Sequence, residues 1–547
     1  MATTAENEPA WVLDRPPGEA LGLRPRRPRL LRLVAAGLIA LLYVAGISRH
    51  WWLGPDTGLY VSLADSLARG EGYTLAGRPH AHVPPGFPAL LALLGGSSHF
   101  LLLNAAMATM ALGFIWFARE LLAQLVEPGW ADLLALTLAL STQMYERSTE
   151  ILSDIPFMLA VLGGLWLYYR GLRRGGRGWE LGSLLIAGSC WFRVAALAVA
   201  AGAALGLVAS AWRTPLRRRA ILNLLLAGAI GAGSLAFFYR AYKSAGAYDS
   251  SYANLVSHLS SGQLTGWLAA QGGGALDVLS KLLTAQDLPP AVTLLVIVLP
   301  MAVGLFRRAV RGDHLGPIVV VVYLLMLLAV KFIPRYLLLV MPLLLLYWLE
   351  GAMLAAGWAA RRLRRGPRPA GVHQARVAVA LLAVLAAANL PLVGRRVYER
   401  HADWRLQQRG KFVDEIAAAA ELERLDPPGR LLAPQYLAVL AHRPSPMVPA
   451  GIRKRDPSAE QVRRFLSHWD IRVVVVNLAR TGGRGPETPR AASLSGVRAL
   501  RGPDSADAPF QARLAEIARQ DGRLLAQVGQ VAIFELLTPS TAAATPR

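Results

Sequence analysis

The run LVAAGLIALLYVAGI, Leu33–Ile47, is soon followed by DTGLYVSLADSLARGEGY, Asp56–Tyr73. The first is nearly the roughly 20 apolar residues that cross a hydrocarbon core. The second is too polar to cross, yet it is patterned. Leu59, Leu63 and Leu67 share one helical face, Ser62, Asp65 and Arg69 occupy the opposite one, and Gly70 is placed to stop the helix. A span that opens directly into an organised acidic loop is the start of a polytopic membrane protein. It raises the question of what Asp56 does at the end of the first span.

Composition agrees with that class. Of 547 residues, 54% are hydrophobic and 17% charged, against about a quarter charged in soluble domains. The net charge of +23 would suit nucleic acid if it were spread over a polar surface. Instead the arginines gather at the ends of apolar runs: Arg24–Arg32, Arg170–Arg177, Arg213–Arg219, Arg307–Arg311 and Arg361–Arg376. Cytoplasmic loops are marked in this way, so no nucleic-acid partner is expected. The single cysteine, Cys190, cannot form an internal disulfide and reads as a packing residue in an apolar run.

With the arginine clusters as cytoplasmic pins, about eleven transmembrane helices are expected. Residues 1–30 read as a disordered cytoplasmic tail, and Leu33–Ile47 as an uncleaved first span. Further spans fall near 99–118, 131–145, 151–169, a hairpin around Arg193, 221–238, 289–306, a rise to Lys331, a descent from Tyr336, and 376–393. Residues 241–286, with Tyr248, Tyr252 and Gly272-Gly273-Gly274, read as a long polar loop that could act as a lid. The transmembrane region therefore covers 31–394. Residues 395–540 carry mixed charge and shorter apolar stripes. Lys411–Leu422 is patterned as an amphipathic helix, Arg463–Trp469 as a helix end, Arg472–Asn477 as a buried strand and Gln527–Leu537 as a closing strand pair. A small extracytoplasmic α/β domain is expected there, with 541–547 a disordered tail.

Asp56 by itself reads as a helix cap or as a catalytic group. The rest of the predicted outer face bears on the choice. Glu146, Glu150 and Asp154 fall at the outer ends of the third and fourth spans, with Arg193, Lys331 and Arg335 near the same level. Ionisable groups at membrane depth are costly and face a cavity or one another. An acidic centre rimmed by cations suits a reaction on a phosphorylated lipid, with a carboxylate as base and cations on the leaving phosphate. His80 and His82 have no settled third ligand and read as loop residues contacting substrate or solvent. No cofactor is required by these residues, and a divalent metal is left open.

Four motifs in order resemble the GT-C superfamily of membrane glycosyltransferases, close to its aminoarabinose transferase, protein O-mannosyltransferase and lipopolysaccharide-core members. They are DTGLYVSLADSLARGEGY at 56–73, VPPGFP at 83–88, STEILSDIPF at 148–157 and PRYLLLVMPL at 334–343. Together with the outer C-terminal domain the resemblance covers roughly 30–540. It implies that Asp56 is the catalytic carboxylate of the first outer loop. Many members carry Asp-Glu there, whereas this chain has Asp56-Thr57. It also implies a second acidic residue at the start of the fourth span, matched by Asp154, with Glu150 the competitor. Arg335-Tyr336 matches the Arg-Tyr pair that meets the lipid phosphate. Tyr60, His82, Arg193 and Lys331 join them as candidate substrate contacts.

The function expected on this basis is transfer of a sugar from a polyprenyl-phosphate donor to an envelope lipid, glycan or protein, at the outer face of a bacterial plasma membrane. The rival is a transporter or lipid flippase, which would bury charges within spans and pair Gly/Pro-broken helices in two halves. A third reading is a catalytically silent scaffold.

Overall fold

The computed structural model describes residues 28–49, 55–80, 83–244, 264–284, 288–330, 332–363, 370–407, 413–433, 435–441, 445–446, 457–477 and 508–537. Of the expected tails, residues 1–27 and 541–547 lie outside them, as do Tyr248 and Tyr252, whereas 28–30 already belong to the first helix.

The first part of the chain is a helical bundle. Its helices are α1 (Pro28–Val44), α2 (Pro55–Ala68), α3 (Gly86–Leu93), α4 (Phe100–Leu122), α5 (Pro128–Ala139), α6 (Thr142–Ser148), α7 (Asp154–Arg173) and α8 (Trp179–Gly188). They continue with α9 (Ala196–Ala211), α10 (Arg217–Ser244), α11 (Leu264–Thr284) and α12 (Pro290–Val310). The last are α13 (Leu315–Val330), α14 (Pro334–Leu337), α15 (Met341–Leu363) and α16 (Ala370–Gln407). Among the described residues six helices are long and apolar enough to cross a membrane, in α4, α7, α10, α12, α15 and α16. Shorter apolar helices occupy Arg32–Val44, Ala196–Ala211 and Leu315–Ala329. The chain is a multi-pass membrane protein.

Small residues let these helices approach closely, as apolar helices in lipid require. A Cβ on Gly304 would lie 1.9 Å from the Tyr347 carbonyl oxygen, and one on Gly351 1.8 Å from that of Pro300, so α12 and α15 touch backbone to backbone. Gly164 and Gly182 do the same for α7 and α8, at 2.8 and 3.0 Å. Cys190 is fully buried.

Three local expectations change. The third span is broken: α5 ends at Ala139, and Ser141 caps α6 by accepting from Met144 N at 3.3 Å. Much of the expected polar loop at 241–286 is helical, since α10 extends to Ser244 and α11 carries the glycine run. The closing strand pair starts at Gly522 rather than Gln527.

The C-terminal region is an α/β unit. After the short antiparallel pair β1 (Thr74–Leu75) and β2 (Arg78–Pro79) that follows α2, strands β3 (Arg430–Leu432), β4 (Ile471–Asn477), β5 (Gly522–Val528) and β6 (Val531–Leu536) form one sheet ordered β3-β4-β6-β5. The β3–β4 pair is parallel and the other two pairs antiparallel, with Val474 opposite Phe534. Helices α17 (Val413–Leu425), α18 (Gln435–Leu440), α19 (Ala459–His468) and α20 (Ala508–Asp521) cover it. Alternation divides the valines of β4 between two cores. Val474 and Val476 pack with Phe465, Phe510 and Leu514, while Val473 and Val475 join the core that includes Leu422, Leu437 and the bundle. A sheet covered on both faces needs this continuous apolar strand.

A candidate active site at one end of the bundle

The helix that carries Asp56 begins earlier than its leucine pattern suggests. Pro55 occupies its first position, where a missing N–H costs nothing, and Asp56 lies in the first turn. A carboxylate there is favoured by the helix dipole. Its other end closes as expected. Gly70 takes φ 75°, with Gly70 N donating to Leu67 O and Glu71 N to Ser66 O, both at 3.0 Å.

The helix does not present one polar face to water; it is buried on most sides. Leu59 and Leu63 pack with Leu75 and Val83 of the following loop. Tyr60, Val61 and Ala64 pack into the bundle core. Helix α18 of the C-terminal region packs against it as well. Tyr60 meets Phe87 edge to face at 4.9 Å, and its hydroxyl shares a 2.8 Å hydrogen bond with Ser153 Oγ. Burial pushes the Tyr60 hydroxyl up to about 12, so it remains neutral. Asp65 Oδ1 accepts from Ser97 N at 2.8 Å, tying α2 to the approach to α4. These contacts hold the backbone under Asp56 while its side chain stays half-exposed, at 52%.

The remaining groups come from distant elements. Asp154 opens α7 and is buried. Arg193 lies in the turn between α8 and α9 and reaches Asp154 Oδ2 at 2.9 Å. That turn can come close because Gly86 has no side chain: a Cβ there would sit 2.6 Å from the Trp191 carbonyl oxygen. Arg335 follows Pro334 in α14, and its Nη1 donates to Asp56 Oδ2 at 3.0 Å. Arg335 Nη2 donates to the Tyr336 hydroxyl at 3.2 Å. The ring of Tyr336 has Arg193 over it at 4.5 Å and Arg335 at 5.1 Å. The order in space is thus Asp56, Arg335, Tyr336, Arg193, Asp154: two ion pairs joined through one aromatic ring.

The structure brings Asp56, Tyr60, Asp154, Arg193, Arg335 and Tyr336 together. Glu150 stands at the edge of this group and pairs with Arg147 instead. Burial pushes its carboxyl up, against the pull of Arg147. Glu146 pairs with Arg396 at 2.6 Å. His82 and Lys331 lie outside the described residues. Among the described residues no three His, Cys, Asp or Glu side chains gather as a metal site.

Sequence reading missed Ser153, Arg147 and Arg396. Ser153 receives Arg193 Nη1 at 3.4 Å as well as its bond with Tyr60. Arg147 could have been noticed three residues before Glu150, at helical pair spacing. Arg396 has no local signal. It arrives through α16, which Asn389 ties to α6 by accepting from Thr142 N at 3.1 Å and Thr142 Oγ1 at 3.0 Å.

No protein-family model matches the chain, and no curated protein matches it in sequence. Solved structures do match in fold. The oligosaccharyltransferase of Archaeoglobus fulgidus in its apo form aligns with a TM-score of 0.55 at 12% identity, over 84% of this chain and 71% of that one. The archaeal oligosaccharyltransferase AglB from Archaeoglobus fulgidus, in complex with an inhibitory peptide and a dolichol-phosphate, aligns with a TM-score of 0.53 at 11% identity, over 83% of this chain and 70% of that one. ArnT from Cupriavidus metallidurans bound to undecaprenyl phosphate gives 0.44 at 13% identity, over 93% and 98%. The chain has the fold of the GT-C membrane glycosyltransferases.

Proposed function

We propose that this protein is a glycosyltransferase that moves a sugar from a polyprenyl-phosphate donor to an extracytoplasmic acceptor in the bacterial inner membrane. The observation that carries the proposal is the pairing of Asp56 with Arg335 and of Asp154 with Arg193 around Tyr336, in a chain with a GT-C fold. In this reading residues 31–394 are the catalytic membrane region, crossing about eleven times. Residues 395–540 lie outside the cell membrane and 1–30 inside it.

The chemistry follows from the charges. Asp56 takes the proton of an acceptor hydroxyl, and the oxygen forms a bond to the anomeric carbon from the face opposite the phosphate. The bond from that carbon to the phosphate oxygen breaks, and its electron pair leaves on the lipid phosphate, so the anomeric configuration inverts. Arg335 meets the developing phosphate charge, with Arg193 behind it across the Tyr336 ring. Tyr60 and Ser153 hold the Asp56 helix against α7. The half-exposed Asp56 is the base in this scheme. Asp154, buried and ion-paired with Arg193, sets the position of that guanidinium.

Purified protein in nanodiscs, given a polyprenyl-phosphate-linked sugar and a membrane-lipid extract, is expected to release polyprenyl phosphate as the sugar appears on an acceptor. Mass spectrometry of envelope material with and without the gene would identify that acceptor. Absence of transfer from every lipid-linked donor, with folded protein present, would point to the scaffold reading.

A further inference from the structure

We infer that the base and the donor's phosphate compete for Arg335, so that the empty site is locked by its own Asp56 and donor binding releases it. This rests on the function proposed above and adds an order to it: donor first, deprotonation of the acceptor second.

Both terminal nitrogens of Arg335 are engaged in the empty site, one by Asp56 Oδ2 and one by the Tyr336 hydroxyl. Its Nε is buried without a hydrogen-bond partner. A phosphate that takes two neighbouring N–H groups of this guanidinium competes with the partners already on its terminal nitrogens. The two ion pairs differ in how readily they yield. Asp154 is 3% exposed in its side chain, and removing Arg193 from it would leave a buried carboxylate uncompensated. Asp56 is 52% exposed and is rehydrated as it lets go. Exchange therefore falls on the Asp56–Arg335 pair.

The consequence is chemical as well as steric. While Arg335 holds it, Asp56 has one oxygen committed to a cation and turned away from an acceptor hydroxyl. Once the donor's phosphodiester anion occupies Arg335, both Asp56 oxygens are free to turn to the acceptor hydroxyl. The proton then moves from that hydroxyl to Asp56, and nothing else is consumed.

The test is binding of farnesyl phosphate, a short polyprenyl monophosphate, to the full-length protein in nanodiscs, with farnesol as the arm lacking phosphate. Asp56→Asn and Asp56→Ser should each bind farnesyl phosphate about 2- to 5-fold more tightly than the native chain, the scale of an exposed ion pair removed as competitor. Farnesol should not distinguish the variants. Glu150→Gln removes a nearby carboxylate that has no hydrogen bond to Arg335, and it should gain less than either. An unchanged or weaker affinity in both Asp56 variants overturns the inference, as does an equal gain in Glu150→Gln, which would be general charge relief. Failure of the native chain to prefer farnesyl phosphate over farnesol would instead remove the lipid-phosphate donor, and the inference with it.

Discussion

Two sets of paired charge lie at opposite ends of α7, separated by about 22 Å of helix, and they are built differently. At one end are Asp154 and the Asp56–Arg335 pair. At the other, Arg308 is 2% exposed and ties several elements together. Its Nε donates to Glu350 Oε1 at 2.8 Å and its Nη2 to Leu125 O at 3.1 Å, while its Nη1 faces Asp313 Oδ2 at 3.7 Å. Tyr169 completes the group by donating to Asp313 Oδ1 at 2.8 Å. The close backbone approach of α12 and α15 at Gly304 and Gly351 places Arg308 beside Glu350. Arg308 and Asp313 are shut off from solvent, and Glu350 is only 11% exposed. The Asp56 end differs in keeping one carboxylate half-exposed. Similar residue types thus form a closed staple at one end and, in the function proposed above, a reactive surface at the other.

Substitution should separate the two ends. The largest expected effect on folding is at the closed end. Arg308→Met leaves Glu350 and Asp313 without compensation, at a cost of about 3–5 kcal/mol. The yield of monodisperse protein by size exclusion should collapse, while transfer per folded molecule stays within about twofold. Arg335→Gln should do the reverse: a normal size-exclusion profile, with transfer from a lipid-linked donor lowered about 10²–10³-fold, the scale of a lost charge-stabilising donor. If Arg335→Gln misfolds while Arg308→Met does not, the contrast between the two ends fails.

Arg193→Lys tests the joint between the pairs. Lysine keeps the charge beside Asp154 but loses the planar group over Tyr336 and the bond to Ser153. Transfer should fall about tenfold, as for one lost charge-assisted hydrogen bond. Wild-type rates would assign Arg193 a purely local role.

The smallest effect concerns Glu150, at the rim. Burial raises its carboxyl above the usual range, so the folded chain holds this proton at pH values where the unfolded chain has released it. Stability from this group is present at low pH and falls as pH rises from the unfolded value through the raised folded one. Glu150→Gln should flatten that decline in thermal unfolding scans across mildly acidic pH. A steeper decline in the variant would reverse the assigned direction.

What could be read in advance follows from where the information lies. Long apolar runs and their arginine flanks are local, so helices occur where the spans were expected, and β4 formed from its valines. Helix boundaries depended on single residues. Pro55 moved the start of α2 back to include Asp56, and Ser141 split the third span. The glycine run at 272–274 was misread as loop, although Val278, Leu282 and Leu283 beside it are buried along α11. Asp56, Asp154, Arg193, Arg335 and Tyr336 were identifiable as residues, but their pairing was not. It depends on Gly86 admitting the Trp191 turn and on Pro334 starting the short α14.

The central claim is that Asp56 is the base. Membranes containing equal amounts of folded native and Asp56→Asn protein should be compared for transfer from a labelled polyprenyl-phosphate sugar. Loss of transfer by about 10²-fold or more is predicted, the scale of a general base removed; near-native transfer by the variant would contradict the account.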